Sequence, residues 1–375
     1  MRVLLLCTNK TAYVVQLYNF VKKYYPSVKY SILTTEDSAD YYKDNLQLEC
    51  EENIFSVAGP KVLAIGLAIS RLPKFDIIHS MWLEYFWGLF ACTIRTKTNK
   101  WFASIGGSDL YRDTKHWYFR CLQRRILSRC DLISSEGEST RAFFNATYRN
   151  KYGGVPHRII RYGVDILDEI VTLDNNLASI KELRAKYSIP GDKIVVMCGT
   201  CGRVQHQHIR VLEAMEKLPC DIINRICILI PATYDVKEDY IERVENKARS
   251  ITDSVVVLRE YLSPRGMAEI AYITDIMIHV QTTDQLSSAM ISHMFIGNVV
   301  IAGSWLPYDE LREKGIGFIS IDNIEELSKT IPSVIETLDG YRSSYSNNKN
   351  IIYEISSWER SARDWYAAYT FLVNK

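Results

Sequence analysis

The chain has 375 residues, of which 47% are apolar and 24% charged, a composition typical of a globular protein and not of a disordered tail or linker. Its length exceeds what one hydrophobic core usually supports, so two domains are expected. Its 45 basic and 44 acidic residues leave a net charge of +1, which provides no general attraction for phosphate backbones, and we expect no nucleic-acid partner.

The N-terminus, MRVLLLCTNK, has a shorter apolar run than a signal peptide requires, and no stretch of the chain is long and apolar enough to span a bilayer. These features predict a cytoplasmic protein. Its nine cysteines are therefore expected to be reduced and mostly buried as small apolar side chains.

Short runs rich in Val, Ile and Leu alternate along the chain with segments of helical periodicity. This pattern is typical of buried parallel strands joined by crossover helices. The runs of the first half are RVLLLC, YSIL, FDIIHS, KWFASIG, DLISS and HRIIRYG. Those of the second half are KIVVMCG, ICILIP, VVVL, TDIMIHV, VVIAG and GFISI. Two consecutive series of six predict an α/β protein with two doubly wound parallel sheets.

The boundaries follow from the polar stretch between the two series. We predict a first domain over 1–168, a linker over 169–192 with a helix that ends at Ile189-Pro190-Gly191, and a second domain over 193–348. Residues 349–375 have apolar and aromatic residues at three- and four-residue spacing, which predicts one long amphipathic helix.

Ligands of open parallel sheets bind beside the carboxyl ends of the strands, so the loops after the strands are the candidate sites. In the first half, Gly106 and Gly107 follow a strand and allow a ligand to approach the backbone. Ser108 and Asp109 come next, and Asp109 is either a general base towards an incoming hydroxyl group or the N-cap of a helix.

A basic and aromatic segment follows that loop. Between Lys115 and Arg129 the sequence TKHWYFRCLQRRILSRC interleaves cations with aromatic rings. A helix of this kind is suited to anionic lipid headgroups, although a solvated charged face is an equally good interpretation.

The stretch VVMCGTCGRVQHQHI contains a C-x-x-C and an H-x-H pattern, from Cys198 to Cys201 and from His206 to His208. On one helix the two histidines would diverge by about 200°, and Cys198 should point into the core, so a zinc site is disfavoured. A redox pair needs a helix that begins directly at the cysteines, whereas this helix should begin near Gln207.

The same stretch can instead form an anion site. Gly199 and Gly202 bracket a tight turn whose N–H groups, with Arg203 and the following helix N-terminus, suit a diphosphate. The alternative is a plain connection from a strand to a helix.

A second loop has the same character. The segment TTDQLSS precedes the helix AMISHMFIG, so Ser287 and Ser288 can offer hydroxyl groups beside its free N–H groups. Asp284 either accepts from a sugar hydroxyl or caps the helix.

The order of these loops resembles the GT-B class of nucleotide-sugar glycosyltransferases, in which two Rossmann-like domains face a cleft and the second domain binds most of the donor. The segments FDIIHS, IGGSDL and RYGVD match the first domain, and VVVLREYLSPRGMAEIAYITDIMIHV matches the region that holds the nucleobase. The resemblance also implies that the C-terminal helix crosses back to the first domain.

The retaining family of this class, common in polysaccharide synthesis, has two glutamates eight positions apart and an Arg-to-Lys pair for the diphosphate. Asp284 and Ser292 stand at the glutamate positions, and Ser292 cannot be a bidentate acceptor for ribose hydroxyls. Arg203 matches the arginine of the pair, and His208 replaces its lysine.

The second half is also similar to the fucosamine-type transferases of enterobacterial common antigen, which take amino-sugar donors and lipid-linked acceptors. Their glycine turn, His-Ile helix start and Pro-x-x-Tyr loop match Gly199, His208-Ile209, Pro231 and Tyr234.

These resemblances imply a metal-independent glycosyltransferase of bacterial surface polysaccharide synthesis, such as O-antigen, lipopolysaccharide or capsule. No cofactor is expected, and the acceptor is a glycan or a lipid-linked saccharide at Gly106–Asp109. Asp109, Arg203 and Asp284 are the expected catalytic residues. The expected donor contacts are Gly199, Thr200, Cys201, Gly202, Arg203, His208, Tyr234, Tyr261, Leu262, Asp284, Gln285, Leu286, Ser287 and Ser288. A nucleotide-sugar epimerase and a catalytically inactive binding protein remain as alternatives.

Overall fold

The computed structural model describes residues 1–49, 52–58, 61–111, 113–148, 152, 154–175, 180–233, 236–284 and 286–374. The chain divides into two compact units. The first unit comprises Met1–Gly163 and Trp358–Lys375, and the second comprises Val164–Ser357.

The first unit contains a seven-stranded sheet in the order β3-β2-β1-β4-β5-β6-β7, with every pair parallel. Its strands are β1 (Arg2–Leu6), β2 (Lys29–Thr35), β3 (Ile54–Val57), β4 (Phe75–Ser80), β5 (Thr98–Ile105), β6 (Leu132–Ser135) and β7 (His157–Ile159). Its helices are α1 (Ala12–Tyr24), α2 (Glu36–Asn45), α3 (Lys61–Arg71), α4 (Ala91–Thr96), α5 (Ser108–Tyr111), α6 (Trp117–Leu127), α7 (Glu138–Tyr148) and α19 (Trp358–Asn374). Short 3₁₀ helices cover Tyr85–Phe90 and Asp113–Lys115.

The second unit repeats this topology with six parallel strands in the order β10-β9-β8-β11-β12-β13. The strands are β8 (Ile194–Cys198), β9 (Ile226–Pro231), β10 (Val255–Leu258), β11 (Ile276–His279), β12 (Val299–Gly303) and β13 (Ile319–Ile321). The helices are α8 (Asp165–Asn175), α9 (Ile180–Lys186), α10 (His208–Met215), α11 (Cys220–Ile223), α12 (Glu238–Arg249), α13 (Pro264–Ile273), α14 (Ser288–Ile296), α15 (Asp309–Glu313), α16 (Leu327–Glu336), α17 (Leu338–Ser344) and α18 (Asn348–Ser356). Single 3₁₀ turns cover Val204–His206 and Ile324–Glu326.

The prediction of two parallel α/β sheets is confirmed, because each of the twelve apolar runs contains a strand. Each sheet is covered on both faces, and its side chains contribute to two apolar clusters per unit. The sequence analysis missed one strand, β3. It has four residues, lies at the edge of its sheet and buries only Val57 fully, so it lacks the continuous apolar run of the other strands.

The predicted linker and the predicted single terminal helix both differ from what the structure shows. Residues 169–192 include most of α8 and all of α9, and both helices belong to the second unit. The single long helix expected over 349–375 is instead two helices, because Ser357 has extended backbone angles and separates α18 from α19. Helix α18 belongs to the second unit, whereas α19 packs against α1 in the first.

Candidate functional site

The strand order of the second unit reverses between β8 and β11, and ligands of doubly wound sheets bind at such a switch point. The loops after these two strands are held together by their own hydrogen bonds. Gly199 N–H donates to the Ile278 carbonyl at 3.2 Å, and Thr282 N–H donates to the Gln205 carbonyl at 2.9 Å. Residues 199–207 and 278–284 therefore form one continuous lining at the carboxyl ends of the strands.

The glycine turn after β8 has a steric reason for both of its glycines. Gly199 has a φ of +69°, and a Cβ at this position would lie 2.6 Å from Nε2 of His208. A Cβ at Gly202 would lie 2.9 Å from Cγ2 of Val236. Arg203 follows with an exposed side chain and lines an open pocket of about 660 Å³ together with Lys237. The two glycines thus let the turn pack closely against His208 and Val236, and Arg203 and Lys237 bring two cationic side chains to the pocket.

The two histidines after the turn lie close together, which corrects the expected divergence. Their ring centroids are 5.7 Å apart, because Gln207 has left-handed backbone angles and separates a 3₁₀ turn from α10. Burial lowers the pKa of His206 to about 3 and that of His208 to about 4. His208 Nδ1 lies 3.1 Å from the Tyr240 hydroxyl. His208 is therefore neutral near pH 7 and does not provide the charge of the lysine that it replaces.

The cysteines of this stretch have separate surroundings. Cys198 is fully buried at the end of β8, as predicted, and burial raises the pKa of its thiol to about 12. The Sγ of Cys201 lies 3.2 Å from Nε2 of His206. The same nitrogen lies 3.3 Å from the Thr200 hydroxyl. Within the part of the chain that the structure describes, no three Cys, His, Asp or Glu side chains converge as metal ligands.

Asp284 lies in the loop between β11 and α14, and its Oδ2 is the centre of a small polar cluster. Nε2 of His279 lies 3.1 Å from this oxygen and 2.8 Å from the Tyr308 hydroxyl, which also donates to Oδ2. Neither His279 nor Tyr308 was among the predicted site residues. Their one signal was position, since His279 ends one strand and Tyr308 follows the next.

The N-terminus of α14 is capped by Ser287, so the alternative in which Asp284 caps this helix was wrong. The Ser287 hydroxyl accepts a hydrogen bond from Met290 N–H at 3.3 Å, and Ser288 is the first residue of the helix, with an exposed side chain. Ser292 is buried and donates to the Ser288 carbonyl at 2.7 Å, so its hydroxyl group is engaged within the helix.

The remaining predicted donor contacts differ in exposure. Tyr261 follows β10 with 75% of its side chain exposed, whereas Leu262 and Leu286 are half-buried against the core. Tyr234 and Gln285 lie outside the described residues. An exposed ring beside the carboxyl end of a strand is available to stack on a flat ligand.

In the first unit, the switch point lies between β1 and β4, and Asp109 is bonded to the loop after β4. Its Oδ2 accepts from Leu83 N–H at 2.7 Å, and its Oδ1 accepts from Gly106 N–H at 3.1 Å. Gly107 has a φ of +105°, and Ser108 begins α5. Burial raises the pKa of Asp109 to about 6 in spite of these hydrogen bonds. The carboxylate therefore ties two strand-end loops together.

A second carboxyl group beside Asp109 was missed by the sequence analysis. Glu136 follows β6 directly, and burial raises its pKa to about 7, with Asp109 adding to the increase. Arg161, which follows β7, opposes this increase and donates through Nε to the Glu136 carbonyl at 3.2 Å. Two carboxyl groups with pKa values near neutral pH thus lie at the carboxyl ends of the strands.

The basic segment of the first unit is a helix, α6, with one well-exposed aromatic end. Trp117 is 70% exposed and Tyr118 45% exposed. Five cations lie on or beside α6, and none of them forms an ion pair with a described carboxylate: Lys115, Arg120, Arg124, Arg125 and Arg129. Among the described residues, no helix has the length and apolar character needed to cross a membrane.

No protein-family model matches this chain, and no curated protein matches its sequence. Solved structures, by contrast, are similar over nearly the whole length. HepE of Anabaena in complex with UDP superposes with a TM-score of 0.75 at 13% identity, covering 99% of this chain and 100% of that one. The sucrose-phosphate synthase of Thermosynechococcus elongatus has a TM-score of 0.72 at 14% identity, covering 99% of each chain. A glycosyltransferase of Rickettsia africae has a TM-score of 0.72 at 13% identity, with 99% and 98% covered.

These similarities extend over both units, and identity this low supports a conclusion about the fold alone. Together with the two parallel sheets, they confirm the predicted GT-B fold with two Rossmann-like domains.

Proposed function

We propose that this protein is a glycosyltransferase that uses a nucleoside-diphosphate sugar as its donor. The observation that supports the proposal best is the loop after β8, where Arg203 lies exposed beside the turn Gly199–Gly202 at the switch point of the sheet. Structures of the same fold include HepE with UDP-glucose and HepE with UDP, and they support a uridine nucleotide as the first donor to test.

In the proposed donor site, Arg203 and the N–H groups that follow Gly199 in the turn stabilise the charge that develops on the departing diphosphate. Thr200 and Cys201 belong to the same turn, and His208 acts as a neutral neighbour. Asp284 orients the donor sugar, and Ser287 and Ser288 lie at the N-terminus of α14 for the phosphates. Residues further from the turn complete the proposed set: Tyr234, Tyr261, Leu262, Gln285 and Leu286.

We assign the acceptor to the loop Gly106–Asp109 of the first unit. Asp109 is the predicted contact for the acceptor hydroxyl, and its bonds to Leu83 and Gly106 hold the loop in one shape. Its pKa of about 6 and the pKa of about 7 of Glu136 suit proton exchange near neutral pH, as a general base requires.

The cellular setting rests on sequence resemblance alone. The similarity to transferases of surface polysaccharides supports a glycan or lipid-linked acceptor, a role in O-antigen, lipopolysaccharide or capsule synthesis and a cytoplasmic location. Metal independence is likewise proposed from the family resemblance.

The test is an incubation with UDP-glucose, UDP-N-acetylglucosamine, GDP-mannose and dTDP-linked amino sugars, with and without a lipid-linked saccharide. Release of nucleoside diphosphate with sugar transfer or hydrolysis supports the proposal. Conversion of the sugar without release of nucleotide identifies an epimerase, and a rise in melting temperature without turnover identifies a binding protein. Either of those two results refutes the transferase.

We also propose that α6 rests on an anionic membrane surface. The five cations on or beside it, which form no ion pair with a described carboxylate, complement anionic headgroups, and the exposed rings of Trp117 and Tyr118 suit the interfacial region. Flotation with vesicles of phosphatidylglycerol and phosphatidylethanolamine tests this. Binding that increases with the phosphatidylglycerol fraction and falls with salt supports the proposal, and binding independent of both refutes it.

A further inference from the structure

Three segments of the second unit converge on the carboxylate of Asp284. His279 ends β11, Asp284 lies five residues later, and Tyr308 lies immediately before α15. His279 is fully buried, and Tyr308 is 2% exposed. Because the side chains of His279 and Tyr308 are held by packing, their polar atoms can fix a third group in one position.

The segment that carries Tyr308 is attached to the Asp284 loop at a second point. Trp305 Nε1 donates to the Gln281 carbonyl at 2.8 Å, and the Trp305 ring covers Gly303, where a Cβ would lie 2.4 Å from the indole. Two side chains, Trp305 and Tyr308, therefore connect the end of β12 to the loop after β11.

The direction of the hydrogen bonds follows from the chemistry of the groups. Burial and the neighbouring charge of Asp284 raise the pKa of Tyr308 far above its ordinary value, so its hydroxyl group stays protonated and donates to Oδ2. Nε2 of His279 lies 2.8 Å from the Tyr308 hydroxyl, 3.1 Å from Oδ2 and 3.3 Å from the side-chain amide of Gln281. We place a proton on this nitrogen, because the two oxygens are the nearer neighbours and the amide can turn its own oxygen towards it. Nδ1 of His279 has no hydrogen-bond partner among the described residues. Oδ2 thus accepts from two rigid donors.

We infer that His279 and Tyr308 are positioning residues, which hold the carboxyl group of Asp284 in the orientation that meets the donor sugar. The inference rests on the proposed function, in which Asp284 contacts that sugar. Neither residue touches the substrate. Displacement of a contact group by about 1 Å can lower a rate about 100-fold, so loss of one donor has a kinetic effect without removal of any substrate contact.

The experiment compares Tyr308→Phe, Asp284→Asn and the double variant, with UDP-glucose as the probe donor. Tyr187→Phe is the matched control, because the Tyr187 hydroxyl donates to Glu269 at 2.7 Å elsewhere in the same unit. We expect Tyr308→Phe to lower kcat at least about tenfold while Kd for UDP alone changes less than about twofold. The double variant should match Asp284→Asn within about twofold, and Tyr187→Phe should match the wild type.

A double-variant loss equal to the product of the two single losses would overturn the inference, as would an equal weakening of UDP binding by Tyr308→Phe. For His279, we expect Gln to retain most of the activity, because its amide N–H can replace Nε2–H. Leu should lose as much activity as Tyr308→Phe does. Equal rates for His279→Gln and His279→Leu contradict the assigned role.

The inference stays testable if the wild type turns over no nucleotide sugar, a result that would refute the proposed function by itself. In that case urea unfolding of the wild type, Tyr308→Phe, Asp284→Asn and the double variant measures the coupling between Tyr308 and Asp284 directly. A deviation from additivity of about tenfold or more in the unfolding constant supports the positioning contact, and additivity overturns it.

Discussion

The two units share one strand order but differ in the chemistry at the carboxyl ends of their strands. In the second unit the switch point has a glycine turn, an exposed arginine and histidines that burial keeps neutral. In the first unit the corresponding edge has Asp109 and Glu136, whose pKa values burial raises towards neutrality. The same topology therefore carries an exposed arginine beside a glycine turn in one unit and two carboxyl groups of raised pKa in the other, and function cannot be inferred from the topology alone.

The largest expected effect is at the proposed donor site. Arg203→Ala should lower sugar transfer by about 100-fold or more, because a charged donor to the departing diphosphate is removed. The measurement is the initial rate of nucleoside diphosphate release. Arg210→Ala is the control, because Arg210 is exposed on α10 and pairs with Glu325 at 2.9 Å. Equal rates in Arg203→Ala and the control would remove the difference proposed between the two units.

The next effect concerns Asp109 and appears first in stability. In Asp109→Asn an amide replaces one acceptor oxygen of a buried group that binds backbone N–H groups, so the unfolding constant should rise about 30-fold. Urea unfolding at pH 4 measures this, because Asp109 is then protonated in the folded protein and the substitution removes no buried charge. Asp253→Asn is the control: Asp253 is exposed, so this substitution should leave the unfolding constant unchanged within about twofold.

Asp109 also imposes a pH dependence whose sign is opposite to that of an ordinary ion-paired carboxylate. Burial raises its folded pKa from 3.8 to about 6, so the folded state binds the proton more tightly than the unfolded state does. The stability that this proton contributes is present below about pH 4 and is lost as the pH rises through 6. Asp109→Asn should remove that loss, and an unchanged slope in this range contradicts the assignment.

The sequence was sufficient for most of the fold because buried parallel strands leave continuous apolar runs. It was insufficient for β3, where an edge strand with the sequence IFSV buries only one residue fully. The glycine turn was found because its pattern is local. Tyr308 lies 24 residues from Asp284 in the chain, and Glu136 lies 27 residues from Asp109. Both were missed because only the order of the strands brings each of them close to its partner.

A smaller effect is expected on the surface of the first unit. Arg124→Ala on α6 should weaken binding to phosphatidylglycerol vesicles about fivefold, because one basic side chain near an anionic surface contributes about 1 kcal/mol. Lys329→Ala is the charge-matched control on an exposed position of the second unit. If both variants bind vesicles equally well, α6 is a solvated charged face.

The smallest effect is expected at Cys201 in the glycine turn. A metal ion bound there would be a further difference between the two units. Cys201→Ser should keep transfer within about twofold, because a hydroxyl group can replace the thiol that lies 3.2 Å from Nε2 of His206. EDTA should leave both proteins equally active, with Arg203→Ala confirming that the assay detects a loss. The opposite result would be stoichiometric zinc in the wild type and loss of both zinc and activity in Cys201→Ser. That result would establish the thiol as a metal ligand and would assign the chemistry of this turn to the metal rather than to Arg203.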